Sequence, residues 1–135
     1  MIPKFRAYFN KYKRMIYSIG VVNENTILVD FNGDGNLETI FLTNDISLMQ
    51  STGLKDKNGN EIYEGDILKT RTHGLIKVRF KDGNTVVTYK SGVNTRTTLV
   101  LSSFLDRYKV LIIGNIYEDP ELLEEVEEWV IKNTL

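Results

Sequence analysis

The chain contains no cysteine, which removes disulfide scaffolds, thiolate zinc sites and thiol nucleophiles together and suits a reducing compartment. It has one histidine, His73, so a multi-histidine metal site is excluded. No apolar run approaches the length of a membrane span. The opening MIPKFRAYFNKYKRMIYSIGVV is basic at first but lacks the uninterrupted apolar region and small-residue cleavage site of a signal peptide. These absences point to a cytoplasmic protein without a membrane partner.

The chain has 135 residues, the usual size of one compact domain, and a core of that size can form without disulfides or metal. The expected organisation is a single domain over 1–135. The formal charge of -1 conceals an asymmetry. Seven acids lie between Glu118 and Glu128, while residues 1–117 hold 16 basic and 11 acidic side chains, a balance of +5. A mildly basic body with an acidic tail fits a terminal amphipathic helix with a solvated face, and does not by itself identify nucleic acid as a partner.

Before Asp119 the sequence consists of short β-branched and aromatic runs separated by glycine and asparagine turns, so strands are expected. The candidates are Arg14 to Val22, Thr26 to Phe31, Leu37 to Thr43, Ile67 to Arg71, Leu75 to Phe80, Thr85 to Tyr89, Thr97 to Val100 and Val110 to Tyr117. In Leu75 to Phe80, Ile76, Val78 and Phe80 alternate with Lys77 and Arg79, and Lys81 continues the pattern. One face is thus expected in the core and the other in water. Asp82-Gly83-Asn84 is a turn signal, so Thr85 to Tyr89 is expected to return as a hairpin partner. From Asp119 the period changes. Asp119 suits an N-cap and Pro120 the first helical position; Leu122, Val126, Trp129 and Val130 then share a stripe, with Leu123 at its margin. The fold class is mainly β, a β-rich α+β arrangement with a small SH3-like barrel or β-sandwich core and a carboxy-terminal amphipathic helix.

Four constellations bear on chemistry. Asp30, Asn32 and Asp34 occupy positions 1, 3 and 5 of a calcium loop, with Gly35 at the sharp turn and Glu38 as a ninth-position ligand. The closing twelfth position is Phe41, however, and the same residues also make a polar hairpin turn. Asp56, Asn58 and Asn60 imitate the pattern more weakly and read as turn chemistry. Lys4, Arg6, Lys11, Lys13 and Arg14 interleave with Phe5, Tyr8, Phe9, Tyr12 and Tyr17, and Lys77, Arg79 and Lys81 line one strand. Together they offer phosphate pairing and base stacking, against the alternative that the aromatics fill a core. His73 sits in a turn without a nucleophile elbow, and Glu61, Glu64 and Asp66 alternate around another turn as solvated or capping acids would. No catalytic constellation, cofactor motif or phosphate-binding glycine loop is present, so a non-enzyme is expected.

Two blocks carry a family resemblance. Ser51 to Lys69, STGLKDKNGNEIYEGDILK, and Gly114 to Leu123, GNIYEDPELL, resemble the central and terminal blocks of the YopX family. The opening Ile2-Pro3-Lys4-Phe5-Arg6-Ala7 is similar to the family's start, then departs with Tyr8-Phe9-Asn10 where members carry Trp-Asp. The resemblance implies a protein of phages and prophages of Gram-positive bacteria, acting in the cytoplasm of the bacterial host, and it implies no catalytic activity. The residues themselves explain such blocks architecturally: Gly53, Gly59 and Gly65 suit turns, and Tyr63 and Tyr117 can cover core while keeping a bonded hydroxyl. If the blocks meet, Tyr63, Glu64, Asp66, Asn115 and Tyr117 line one polar surface, the candidate interaction site. The expected function is a phage accessory module acting by self-assembly into a homo-oligomer or by binding a phage or host protein. Nucleic-acid binding through Lys77, Arg79 and Lys81 is the alternative.

Overall fold

The structure is a computed structural model that describes the backbone of residues 3–132 and the side chains of residues 3–126. The chain divides into two compact units, Met1–Ser51 and Thr52–Leu135.

The first unit is an antiparallel sheet of β1 (Phe5–Phe9), β2 (Arg14–Asn23), β3 (Thr26–Val29), β4 (Glu38–Phe41) and the start of β5 (Ile46–Lys55), in the order β4-β3-β2-β1-β5. Asn23 closes the β2–β3 turn by accepting the Asn25 N–H on its side-chain oxygen at 2.8 Å, the local bond that makes asparagine a turn former. Ala7, Phe9, Ile16, Ile27 and Val29 form the buried core, with Phe31, Ile40 and Leu48 packed around them. The three expected strands of this region are present, β2 one residue longer than expected and β3 and β4 shorter, whereas β1 and β5 were not expected. Phe5–Phe9 reads as a basic-aromatic stretch, yet Arg6 is buried beside Ala7, Tyr8 and Phe9. Its guanidinium approaches the Met49 sulfur at 3.4 Å and the Tyr17 hydroxyl at 3.4 Å. Arg6, Tyr8 and Phe9, three of the ten residues of the basic-aromatic segment, are therefore core rather than part of a stacking platform.

The second unit holds the end of β5, then β6 (Glu61–Tyr63), β7 (Asp66–Thr70), β8 (Gly74–Lys77), β9 (Arg79–Lys81), β10 (Asn84–Lys90), β11 (Arg96–Val100), α1 (Leu101–Leu105), β12 (Val110–Asn115) and α2 (Pro120–Lys132). Two of its sheets run β12-β7-β8 and β11-β10-β9, all antiparallel. The expected single strand Leu75 to Phe80 is split at Val78. There the Val78 N–H donates to the Asp66 carbonyl and the Val78 carbonyl accepts the Gly65 N–H, each at 2.9 Å, and the chain passes from the edge of β7 to the edge of β10. Ile76 and Val78 are buried as the alternation demands, but Phe80, beyond the corner, stays 37% exposed. The expected turn follows: Asp82 and Gly83 both have positive φ, 52° and 80°, and Lys81 pairs with Asn84, the type I′ geometry that matches strand twist.

Ile62, Leu68, Ile76, Val78, Val87, Tyr89, Leu101, Phe104 and Val110 make the core of this unit. Full burial of an aliphatic or aromatic side chain of this kind contributes about 1.5–3 kcal/mol. The protein is mainly β, with antiparallel sheets and a helix following them among the described residues. α2 begins at Pro120 as expected and lies against β8 and β12. Leu122 and Leu123 are half-buried and Val126 is buried, while Glu121, Glu124 and Glu125 are exposed. The Trp129 and Val130 part of the expected stripe lies outside the described side chains.

Candidate functional site

The two family-like blocks meet in the second unit. β12 pairs with β7 so that Asn115 faces Asp66 and Gly114 faces Ile67, and the Ile116 N–H donates to the Gly65 carbonyl at 3.0 Å. The residues expected to line a polar surface are thus neighbours, but several turn inward. One Asp66 carboxylate oxygen accepts the Tyr63 N–H at 2.8 Å and closes the β6–β7 turn, with Asp66 only 2% exposed. The Asn115 side-chain oxygen accepts the N–H groups of Tyr117 and Glu118, and its side-chain NH2 donates to the Glu118 carboxylate. Asp119 Oδ2 reaches back to accept the Asn115 N–H at 3.1 Å. Tyr63 is buried, and Glu64 and Tyr117 are half-buried.

Gly114 is required by this closeness. A Cβ there would stand 2.5 Å from Asp119 Oδ2 and 2.9 Å from the Leu122 side chain, where the sheet register shifts between Ile112 and Gly114. Asp56, read from the sequence as a turn residue, does more than close a turn. Its Oδ1 accepts the N–H groups of Asn58 and Asn60, and its Oδ2 accepts the N–H of Ile112 in β12, 56 residues away. Burial opposes the charge of Asp56, but the Ile112, Asn60 and Asn58 amides outweigh it and hold its carboxyl below the ordinary carboxylate range. No local pattern signals the third bond, because it depends on where β12 returns.

The calcium-like loop, in the first unit, closes on itself. Asp30 accepts the N–H groups of Asp34 and Gly35, one on each carboxylate oxygen, and Asp34 accepts both the backbone and side-chain N–H of Asn36. The backbone N–H and then the side-chain amide of Asn36 hold the Asp34 carboxyl below its ordinary range. Asn32 is exposed in the same loop, and Glu38 sits on β4 opposite Val29. Among the described residues, no group of three or more His, Cys, Asp or Glu side chains is placed to hold a metal ion.

His73 donates its backbone N–H to the Thr70 hydroxyl in the turn before β8, as a turn histidine would. Its ring also packs against Tyr89 at 4.5 Å and, edge-on, Tyr108 at 4.7 Å between centroids. Its Nε2 is buried with no hydrogen-bond partner among the described residues. The ring borders an open cavity of about 430 Å³ lined also by Thr72, Lys90, Gly92 and Val93.

The corner at Val78 separates the three basic residues of the expected strand face. Lys77 pairs with Ile67, in line with the Gly114 position on which Leu122 of α2 packs. Arg79 and Lys81 belong to the other sheet, where Arg79 faces Val86 and Lys81 faces Asn84. Directly opposed residues share a face. This face therefore continues through Asn84, Val86, Thr88 and Lys90 to Arg96, Thr98 and Val100. Lys90 and Arg96, which pair with each other, thus join Arg79 and Lys81. Counting alternate positions from the Asp82-Gly83 turn would have found Lys90; Arg96 needed the β10–β11 register.

A mainly β module with a terminal helix, whose family-like blocks are welded by buried polar side chains, is the class these features define. The model of the YopX protein family matches residues 4–124, and the chain belongs to that family. It is similar to a crystal structure of protein EF1440 from Enterococcus faecalis, with 33% identity and a TM-score of 0.64 over 91% of this chain and 99% of that one. It shares its fold with the crystal structure of protein yopX from Bacillus subtilis, at 19% identity and a TM-score of 0.62 over 88% of this chain and 96% of that one. Curated proteins gave no match.

Proposed function

We propose that the chain is a non-catalytic phage accessory module that self-assembles or binds a phage or host protein in the bacterial cytoplasm. The observation that carries this reading is the apolar outer region of the first unit's sheet. β4 ends that sheet, and Phe41 on it is 71% exposed, with Leu37 just before it 59% exposed. On β2, Tyr17 and Val22 are 55% and 54% exposed. An unpaired edge strand with large exposed apolar side chains is what another chain can extend or cover. The family-like blocks support the same reading, since Asp56, Asp66 and Asn115 are committed to structural hydrogen bonds rather than presented as acids or bases.

Light scattering after size exclusion tests it. An oligomer that Phe41→Glu dissociates without unfolding, or a captured partner that the same change releases, is the expected result. A monomer that captures no partner from host extract abandons the reading. A second reading, nucleic-acid binding, is favoured by the four-cation face of β9–β11.

A further inference from the structure

We infer that the outer face of the β11-β10-β9 sheet is a docking surface for the phosphate backbone of double-stranded nucleic acid, read without regard to sequence; this rests on the second reading above. Four cations, Arg79, Lys81, Lys90 and Arg96, lie on that face, and no Asp or Glu occupies any of its positions in the three strands. From Arg79 to Val100 the only acid is Asp82, at the tip of the β9–β10 turn. The acidic helix α2 lies against β8 and β12, which belong to the other sheet. Charge complementarity therefore selects a polyanion.

The arrangement selects a duplex over a single strand. A single-strand groove needs aromatic side chains on which bases stack. Here the aromatic residues of these strands, Phe80 and Tyr89, occupy the alternate positions that face away, and Tyr89 is in the core. What the face presents is two cation pairs, Arg79 with Lys81 at one end and Lys90 with Arg96 at the other, separated by Thr88 and Thr98. Four residues of β10 between the Arg79 and Lys90 positions span about 13 Å. That is close to the width of the major groove of B-DNA, about 12 Å, so the pairs can reach the phosphate rows on its two sides. The face is also partly pre-ordered: Arg79 donates to the Thr88 hydroxyl at 2.7 Å, and Thr88 and Thr98 share a hydrogen bond at 2.9 Å.

Fluorescence anisotropy with a labelled random-sequence DNA duplex, and with one of its strands alone, tests the assignment on the full chain. Four phosphate contacts give an expected loss of duplex affinity of about 150-fold between 50 and 200 mM salt. Lys81→Gln with Arg96→Gln, both exposed and one from each end, should reduce that loss to about 12-fold. Lys77→Gln, off this face, should leave it unchanged. Duplex binding that the double variant does not alter overturns the face while leaving nucleic-acid binding standing. Tighter binding of the single strand overturns the duplex assignment. No binding of either form at 50 mM salt overturns both this inference and the reading on which it rests.

Discussion

The Asp30 loop of one unit and the Asp56 turn of the other use acidic side chains in opposite ways. In Met1–Ser51, Asp30 and Asp34 bind backbone N–H groups no more than five residues away, in an exposed loop. In Thr52–Leu135, Asp56 is buried and ties its own turn to a strand that arrives 56 residues later, while Asp66 and Asn115 close turns at facing ends of β7 and β12. A local bond in water stabilises a turn that already forms. A buried bond between distant segments fixes the topology, because breaking it strands amide groups away from solvent. In the central family-like block Asp56 makes a bond of the second kind, whereas Asp66, Asn115 and Asp119 of the two blocks close local turns at buried or half-buried positions.

Substitutions that unmake this contrast should rank accordingly. Asp56→Ala leaves three N–H groups without their acceptor, and the expected loss is about 3 kcal/mol in a denaturant titration. A loss equal to that of Asp30→Ala would remove the distinction between the two turns. Gly114→Ala forces a methyl group against Asp119 and Leu122, with an expected cost of about 2 kcal/mol by the same measurement, since a tightly packed contact must open to admit it. Wild-type stability there would mean that α2 shifts freely over β12. At the small end, Asp30→Ala should cost no more than about 1 kcal/mol, as exposed local bonds do.

The same contrast has a pH signature. The folded-state carboxyl of Asp56 titrates below its ordinary value of 3.8, so its charge stabilises the fold fully above that value. The contribution is lost as pH falls from about 4 through the lower folded-state value. The stability difference between the wild type and Asp56→Asn should therefore be constant near neutrality and shrink below about pH 4. A difference that stays constant down to pH 2 would mean that the Asp56 charge has no part in holding β12.

Local chemistry was legible. The Asp82-Gly83 hairpin, the helix starting at Pro120 after Asp119 and the strands β2, β3, β7, β10 and β11 follow from turn residues and periodicity within a few neighbours. β1, β5 and α1 were not legible. Phe5–Phe9 hides a buried arginine inside what looks like a solvent-facing basic run. Ile46–Lys55 mixes serine, glutamine and glycine among its apolar residues, and five helical residues, Leu101–Leu105, are too few to show a period. The division of Leu75 to Phe80 was hidden for another reason: the corner at Val78 keeps the alternation in phase, so the sequence reads the same on both sides of it. That Tyr63, Glu64, Asp66, Asn115 and Tyr117 are neighbours was legible from the two blocks, but not which of them point inward.

Taken alone, the amino-acid sequence determined the β class, the turn positions, the helix start and the family, because each depends on residues near one another along the chain. Only the tertiary structure decided that Asp56 would hold Ile112, that Gly114 would have no room for a side chain, and that Lys90 and Arg96 would share a face with Arg79 and Lys81. Those relations join segments up to 56 residues apart. Strand register and sheet order, which no local pattern encodes, set which of them come together.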